Sequence, residues 1–506
     1  MAEQNTQQKS ESESEVYEAV CPPPPRMCFG RKQILSDVDE VTPENVRDVI
    51  SKALVTHNEN KGDIQYLYDV YKGRQAILQR EKLIRPEICN RVIVNRSNEV
   101  VSFKSSYLMG EPVQYVSSAS ASEGITEKLV KLNEYMRMEG KEGKDMELAN
   151  WIHICGVAYR LVLPDSQSND PYGSPFNIYV LDPRDTFVIR SSGVDRRPLA
   201  GVHIVHRKEK PDILCVYTKK WYMELENDIL SVDVPPLRFE SATYSEVPIV
   251  EYDHNQVRMG AFEPVLSQLD EINVVESNRI DHIEQTVQSL LVFENCDIDS
   301  TKYDRMRAKG CVTIKSTSGI KANVYNVENT LDQSGVQQTI DDLQASIYDI
   351  CGMPSTQNGG ASTSDTGSAV MLRDGWQQAE ARAKETEKYF TMAEQRFLRL
   401  VLDICRTTRD LDINVSEVKL QFTRRNYADL LTKSQVLTTL LASNKIAPKL
   451  AFEVCTLFTD PEAAYQASKD LIEKADAAAQ QAPSTAPGTD GDRSGQPGTN
   501  GGRNDE

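Results

Sequence analysis

The sequence is poor in histidine and tryptophan, with six and three residues in 506, and none of its ten cysteines sits in a Cys-x-x-Cys pair. Cys21, Cys28, Cys89, Cys155, Cys215, Cys296, Cys311, Cys351, Cys405 and Cys455 are widely and irregularly spaced. That spacing signals neither a zinc knuckle nor a disulfide framework, and reduced thiols are expected. Basic charge is also short: 57 Lys and Arg stand against 75 Asp and Glu, a net charge of -18. This argues against a general nucleic-acid binder, which normally carries a basic surface or tail, but not against a surface that DNA slides past. No run approaches the ~18 apolar residues of a membrane span. The N-terminal stretch MAEQNTQQKSESESEVYEAV lacks the basic, apolar and small-residue succession of a signal peptide, so a soluble, intracellular protein is expected.

What is present is a mixture of helix and strand patterns, an α+β chain with 39% hydrophobic residues. By length alone it corresponds to about three domains. Two long helices dominate. In the first, Phe262, Val265, Leu269, Ile272, Ile280, Ile283, Val287 and Leu290 share a stripe, and Asp270, Ser277, Asp281, Glu284 and Gln288 lie on a different, polar face. In the second, Leu372, Trp376, Ala379, Ala383, Thr386, Phe390, Ala393, Phe397, Leu400 and Ile404 recur in steps of four and three, a seam that needs a partner helix. At 1.5 Å per residue, Ala261–Glu294 and Ser368–Thr408 would reach roughly 50 and 60 Å, suited to an elongated molecule or to one subunit of an assembly.

Before these helices, residues 1–41 read as a flexible, acidic, proline-interrupted arm. Thr42-Pro43-Glu44 opens a helix to about His57, and Ile64–Leu78 reads as a second. From Ala158 to Val250, short β-branched and aromatic runs between turn residues predict an antiparallel sheet. Cys311–Lys315 and Ala322–Val327 read as a hairpin around Ser318-Gly319. A helix from Val336 to Ile350 stops at Gly352-Met353-Pro354, and Ser355–Ser368 is a Gly/Ser loop. Ile413–Phe422 reads as a strand. Tyr427–Leu441, Lys449–Leu457 and Pro461–Ala479 form a helical cluster, and residues 481–506 lack core-forming side chains.

Candidate chemistry is thin. His203 and His206 lie three apart in a strand, where they point to opposite faces, so two surface histidines are a simpler reading than a metal pair. The loop before the second long helix has no Gly-Lys-Ser/Thr and no preceding hydrophobic strand, which disfavours nucleotide binding. Asp182, Asp185 and Asp195 have no nucleophile and base beside them, and Asp182-Pro183-Arg184-Asp185 reads as a turn. Glu276, on the apolar stripe, is read first as a solvated partner of Arg279 at i+3 and second as a contact between subunits. No catalytic, cofactor or metal residue is assigned, and no enzyme activity is expected.

The order of these elements resembles that of tailed-bacteriophage portal proteins, the head-to-tail connectors, of the type found in siphophages. Tyr71-Lys72-Gly73, Asn90, Asn95, Val100–Lys104 and Tyr107-Leu108-Met109-Gly110-Glu111-Pro112-Val113 resemble the family's N-terminal pattern. Gly156-Val157-Ala158-Tyr159 with Leu181-Asp182-Pro183 is similar to its sheet entry. Cys351-Gly352-Met353-Pro354 and Thr366-Gly367-Ser368-Ala369 resemble its tunnel-loop region. The resemblance implies a wing at 42–258, a stem helix at 259–296, a clip at 297–335, a second stem helix at 336–354 and a tunnel loop at 355–368. A further wing part at 369–426, a crown at 427–480 and a tail at 481–506 complete the plan.

It further implies a homo-oligomeric ring of about twelve subunits at one capsid vertex of the virion, assembled in the host cytoplasm. Its implied partners are double-stranded DNA, the large terminase subunit, major capsid and scaffolding proteins, and a head-completion or tail adaptor protein, with no membrane. DNA would meet Asn358, Gly359, Gly360, Ser362, Thr363, Ser364, Asp365, Thr366 and Gly367 of the tunnel loop. Asp270, Ser277, Asp281, Glu284 and Gln288 would face the channel. Lys302, Arg305, Arg307, Lys309, Lys315 and Lys321 would dock the motor. The rivals are a metal-dependent nuclease or hydrolase built on the β-rich region, and a coiled-coil scaffold without a channel.

Overall fold

The computed structural model describes residues 28–481 apart from 84, 119–123, 166–172, 228–234, 288–289, 296–300, 302–303, 305–320, 328–331, 355–374, 410, 424–429, 444, 456 and 459–460. Contact density divides the chain into two units, residues 1–430 and 431–506. Among the described residues, all the strands lie in the first unit.

The first elements are β1 (Ile34–Ser36), α1 (Val46–Tyr71), α2 (Arg96–Met109), β2 (Gln114–Ser117), α3 (Ile125–Met138) and α4 (Lys141–Cys155). Residues 28–41, expected to belong to a flexible arm, are instead anchored, because Cys28, Arg31, Ile34 and Val41 are buried and Arg31 pairs with buried Glu263 at 2.7 Å; the rest of the expected arm lies outside the described residues. The break expected after His57 is also absent, and α1 runs through it for 26 residues. Tertiary contacts override the Asn/Gly-rich sequence there. Buried His57 contacts the Arg184 carbonyl at 3.1 Å, and the Asn60 amide accepts from Lys32 N at 2.9 Å and donates to Lys32 O at 2.8 Å.

The β-rich region contains β3 (Val157–Pro164), β4 (Phe176–Leu181), β5 (Thr186–Ser191), β6 (Pro198–Val205), β7 (Ile213–Tyr217), β8 (Trp221–Glu226), β9 (Arg238–Ser241) and β10 (Ile249–Asp253). It forms two sheets. One has six strands in the order β1-β5-β6-β7-β8-β9, antiparallel except for the parallel β1–β5 edge. Alternation puts Val202, Ile204, Leu214, Val216, Trp221, Met223 and Leu225 in a core with Val46, Val49 and Ile50 of α1. The other sheet is β10-β3-β4.

Next come α5 (Leu266–Val287), β11 (Leu290–Glu294), β12 (Asn323–Val327), α6 (Gln333–Cys351), α7 (Trp376–Arg409) and β13 (Val418–Gln421), the last paired with β2. The first long helix is therefore about 33 Å long rather than 50. Leu290–Glu294 leaves it as a strand, which suits its run of apolar and aromatic residues. β12 pairs with β11; the expected partner Cys311–Lys315 lies outside the described residues.

The seam of α7 is buried as the periodicity predicts, at Ala379, Ala383, Thr386, Phe390, Ala393, Phe397, Leu400 and Ile404. Its partner is not another long helix. The seam packs on β10, β3 and β4 and touches α2, so the sheet satisfies it within the chain.

The second unit is helical, with α8 (Leu430–Leu441), α9 (Pro448–Cys455) and α10 (Pro461–Gln481). Its small core gathers Leu437, Ala451, Phe452 and Cys455, with Tyr465 and Ile472 against them.

Candidate functional site

The polar face of α5 meets an extended segment of its own chain. Asn90 N donates to Asp281 Oδ1 at 2.7 Å, Val92 N to Ser277 Oγ at 2.9 Å and Val94 N to Asn273 Oδ1 at 2.7 Å. The repeat has a geometric origin. Four residues of helix rise about 6.0 Å and two residues of extended chain about 6.6 Å, so acceptors at i, i+4 and i+8 match alternate amides. The ladder supplies the acceptors that an isolated extended segment lacks.

Asp281 is the strongest rung. It also contacts Arg80 at 2.9 Å and Lys82 at 3.0 Å. Burial pushes its pKa up, but Asn90, Lys82 and Arg80 outweigh that and hold it below the usual aspartate value. Asn90 Nδ2 reaches Glu284 at 2.9 Å, and Arg80 reaches Asn278 at 2.5 Å.

This changes the expectation for the α5 face. Ser277 is 0% exposed and Asp281 4%, and both hold residues 90–92, so neither points into a channel. Asp270 is half-buried, with its pKa raised by burial and by Glu271. Glu284 is half-buried and engaged by Asn90. The Gln288 position lies outside the described residues. Asn273 belongs to the same row, and its phase with Ser277 and Asp281 is the sequence signal that marks it.

The expected Glu276–Arg279 pair is not formed. Arg279 donates instead to Gln333 at 3.1 Å and Gln337 at 2.9 Å, tying α5 to α6. Farther along α5, Ile280 and Ile283 are 39% and 46% exposed, although their spacing predicts burial.

The Gly/Ser loop, residues 358–367 included, lies outside the described residues, but its two ends are placed. α6 closes at Gly352, in a left-handed conformation with φ 66°, and α7 opens after Gly375 at φ 79°. A Cβ added at Gly375 would meet Pro354 Cα at 3.7 Å, so the chain returns close to where it left. Trp376 packs on Phe103 and Tyr107, and Gln378 donates to the Asp349 carbonyl at 3.0 Å. Of the basic residues between the long helices, Lys321 is described and exposed; Lys302, Arg305, Arg307, Lys309 and Lys315 lie outside the described residues.

Farther along α7 is a buried charge cluster that sequence reasoning missed. The Glu394 carboxylate, on α7, accepts from Tyr115 at 2.5 Å, Tyr252 at 2.6 Å and Arg160 at 3.1 Å, and pairs with Lys141 at 2.9 Å. Asp145 pairs with Lys141 at 2.5 Å and also with Arg160. Burial raises the Glu394 pKa, but Lys141, Arg160 and the two phenols together hold it at about 2. A second cluster joins Glu251 to Arg190 at 2.6 Å and to Arg258. The visible signals were Arg160 inside the apolar run GVAYRLVLP and Glu394 between Ala393 and Phe397.

His206 lies between Asp185 at 2.9 Å and Asp212 at 2.8 Å, while His203 bonds Thr186 at 2.9 Å. Asp182 takes its own Arg184 at 2.5 Å in the expected turn. Among the described residues no group of His, Cys, Asp or Glu is arranged to hold a metal ion. Burial pushes the Cys155 and Cys405 thiols up to about 12 and Cys351 up to about 11, far from thiolate chemistry at neutral pH.

Residues 51–482 match the family model described as phage portal protein, SPP1 Gp6-like. No curated protein sequence matches the chain. Among solved structures, the chain is similar to one in the neck of an empty GTA particle, at 12% identity over 71% of this chain and 90% of that one, with a TM-score of 0.42. It is similar also to a chain in the virion of a native gene transfer agent particle, at 12% identity over 71% and 89%, with a TM-score of 0.38.

Proposed function

The chain belongs to the phage portal protein family, SPP1 Gp6-like, and from that premise we propose how it works as a portal protein of the head-to-tail connector. A ring of about twelve copies occupies one capsid vertex, nucleates the procapsid and encloses a channel for double-stranded DNA. The family match over residues 51–482 carries this reading. The α5–α6 pair forms the stem, residues 42–258 with 369–426 the wing, and residues 427–480 the crown. Asp270, Glu284 and Gln288 are the remaining channel-facing candidates.

The segment between Pro354 and Gly375 serves as the tunnel loop. The adjacency of its ends supports this, because a loop anchored at one point can project without disturbing α6 or α7. The acid-rich composition supports DNA sliding, since each phosphate neutralised by a fixed cation adds a salt-dependent hold. The region around β11 and β12 is the clip, and its basic residues, Lys321 among them, dock the large terminase subunit. The tail adaptor attaches after filling.

Native mass spectrometry with negative-stain microscopy of the purified protein tests the reading. A ring with an axial hole is expected. A small rod-shaped oligomer would support a scaffold instead, and metal-dependent DNA cleavage by a monomer would support a nuclease.

A further inference from the structure

On the surface beside α7 lies a cleft of about 180 Å³ lined by Arg190, Glu251, Asp253, Tyr389, Met392 and Arg396. Its cations are unequally provided for. Arg190 makes two bonds to Glu251, at 2.9 and 2.6 Å. Arg258 takes Glu251 from another side and Asp253 at 3.0 Å. Nearby Glu246 is held by Lys219 at 3.1 Å and Arg399 at 3.1 Å. The carboxylates closest to Arg396 are thus already engaged, and among the described residues Arg396 has no ion-pair partner of its own. Burial and the neighbouring Arg190 both disfavour its charge.

Such a guanidinium is unexpected in a chain whose carboxylates outnumber its cations to give a net charge of -18. The buried guanidinium groups of Arg31, Arg160, Arg190 and Arg258 each have a carboxylate, whereas half-buried Arg396 has none of its own among the described residues. The cleft has room for about six water volumes, which suits the atoms of one acidic side chain. Its rim is apolar at Met392, which is 65% exposed. With Glu251 and Asp253 taken by Arg190 and Arg258, the cleft leaves the Arg396 cation over beside the exposed Met392, which fits an acidic side chain set in a protein surface better than a free ion, and the surplus acids of an identical chain supply it.

We propose that this cleft is a contact between subunits, in which Arg396, backed by Arg190, receives an Asp or Glu side chain from a second copy of this chain. The proposal rests on the portal reading, because a ring sets each copy against another. It names the residue through which α7, already committed to its own sheet on one side, contributes to assembly on the other.

The test compares the wild type with Arg396→Lys, Arg396→Gln and Arg396→Glu. The readout is the concentration at which each assembles, followed by native mass spectrometry, with circular dichroism and melting of the unassembled chain as the check on folding. Arg396→Glu is expected to raise the half-assembly concentration at least tenfold, Arg396→Gln less, and Arg396→Lys least, with unchanged spectra. An acid-to-lysine change elsewhere in the chain that restores assembly of Arg396→Glu would identify the partner and support the contact.

Folded Arg396→Gln and Arg396→Glu chains that assemble at the wild-type concentration would overturn the proposal and leave the portal reading intact. A wild type that forms no ring at all would overturn both. Thermal stabilisation of the wild type, but not of Arg396→Gln, by glutarate, with assembly unchanged in the variants, would assign the cleft to a small carboxylate instead.

Discussion

The long helices α5 and α7 carry similar amphipathic patterns, and the chain uses them in opposite ways. The apolar seam of α7 is covered along its length by β10, β3 and β4, with Glu394 fully enclosed among Tyr115, Lys141, Arg160 and Tyr252. In α5, Leu266, Leu269 and Ile272 are buried, but Ile280 and Ile283 remain exposed while the polar row Asn273, Ser277 and Asp281 is occupied by residues 90–94. Hydrophobic periodicity thus marks a face that will be covered without saying by what. For α7 the cover is its own sheet. For the later turns of α5, the chain provides none among the described residues.

The sharpest way to break this comparison is to remove the central acid of α7. Glu394→Ala leaves Arg160 and Lys141 buried with the remaining charge of Asp145 alone, and is expected to lower the unfolding free energy by about 3–5 kcal/mol. Urea unfolding of the unassembled chain measures it. A loss below about 1 kcal/mol would mean that the cluster is not the keystone of this helix.

Acid acts on the buried titratable groups in two stages. Burial, with Lys104 nearby, lowers the His254 pKa to about 4, and burial with Lys61 does the same for His57. Since the unfolded chain binds these protons near pH 6.5, the unfolded state takes up more protons between pH 6.5 and 4, and stability falls across that window as pH is lowered. Asp253 runs against this trend. Burial and Glu251 raise its pKa to about 6, so its contribution grows as pH falls from 6 toward 3.8. Glu394 acts later: its stabilisation is present above about pH 4.5 and disappears as pH approaches 2. His57→Gln should remove about 2 kcal/mol of the loss between pH 7 and 4.5. Parallel curves for variant and wild type, from denaturation at both pH values, would show that His57 is not the titrating group.

Much of the fold was legible in the sequence, and the errors share a cause. The α7 seam, the β-rich region, α6 and the C-terminal helices follow from periodicity and stop signals in a single segment. The continuity of α1 through Asn60, the ordering of residues 28–41 through Arg31 and Glu263, and the role of Ser277 and Asp281 depend on partners far away in the chain. A polar row on a helix has the same pattern whether it faces water, DNA or the amides of an extended segment. Arg160 and Glu394 were conspicuous as charges in apolar runs, but their pairing across 234 residues has no local signature.

On α5 the expected effect is smaller and local. Asp281→Ala removes the acceptor for the Asn90 amide and the partner of Arg80 and Lys82, with an expected loss of about 2 kcal/mol. Ser277→Ala, which removes a neutral rung, should lose about 1 kcal/mol. Hydrogen exchange separates this from general destabilisation: the amides of Asn90 and Val92 should lose protection before those of β3 and β10. Uniform acceleration throughout would contradict a local fastening.

The smallest effect on the isolated chain is expected at Ile280 and Ile283, where the contrast between the helices is most complete. Both side chains are already substantially exposed, so the Ile280→Asp, Ile283→Asp double variant should shift unfolding by only about 0.5 kcal/mol. An equivalent pair of changes at Phe390 and Phe397 would destroy the fold, since those rings are 1% and 0% exposed. If a neighbouring subunit covers these positions in a ring, the same double variant should nevertheless fail to form rings, because a carboxylate there would be desolvated without a partner. A variant that is destabilised as an isolated chain would show that these residues pack within it. One that is unaffected in both stability and ring formation would show that this part of α5 faces solvent in the assembly, and would move the subunit contact to another surface.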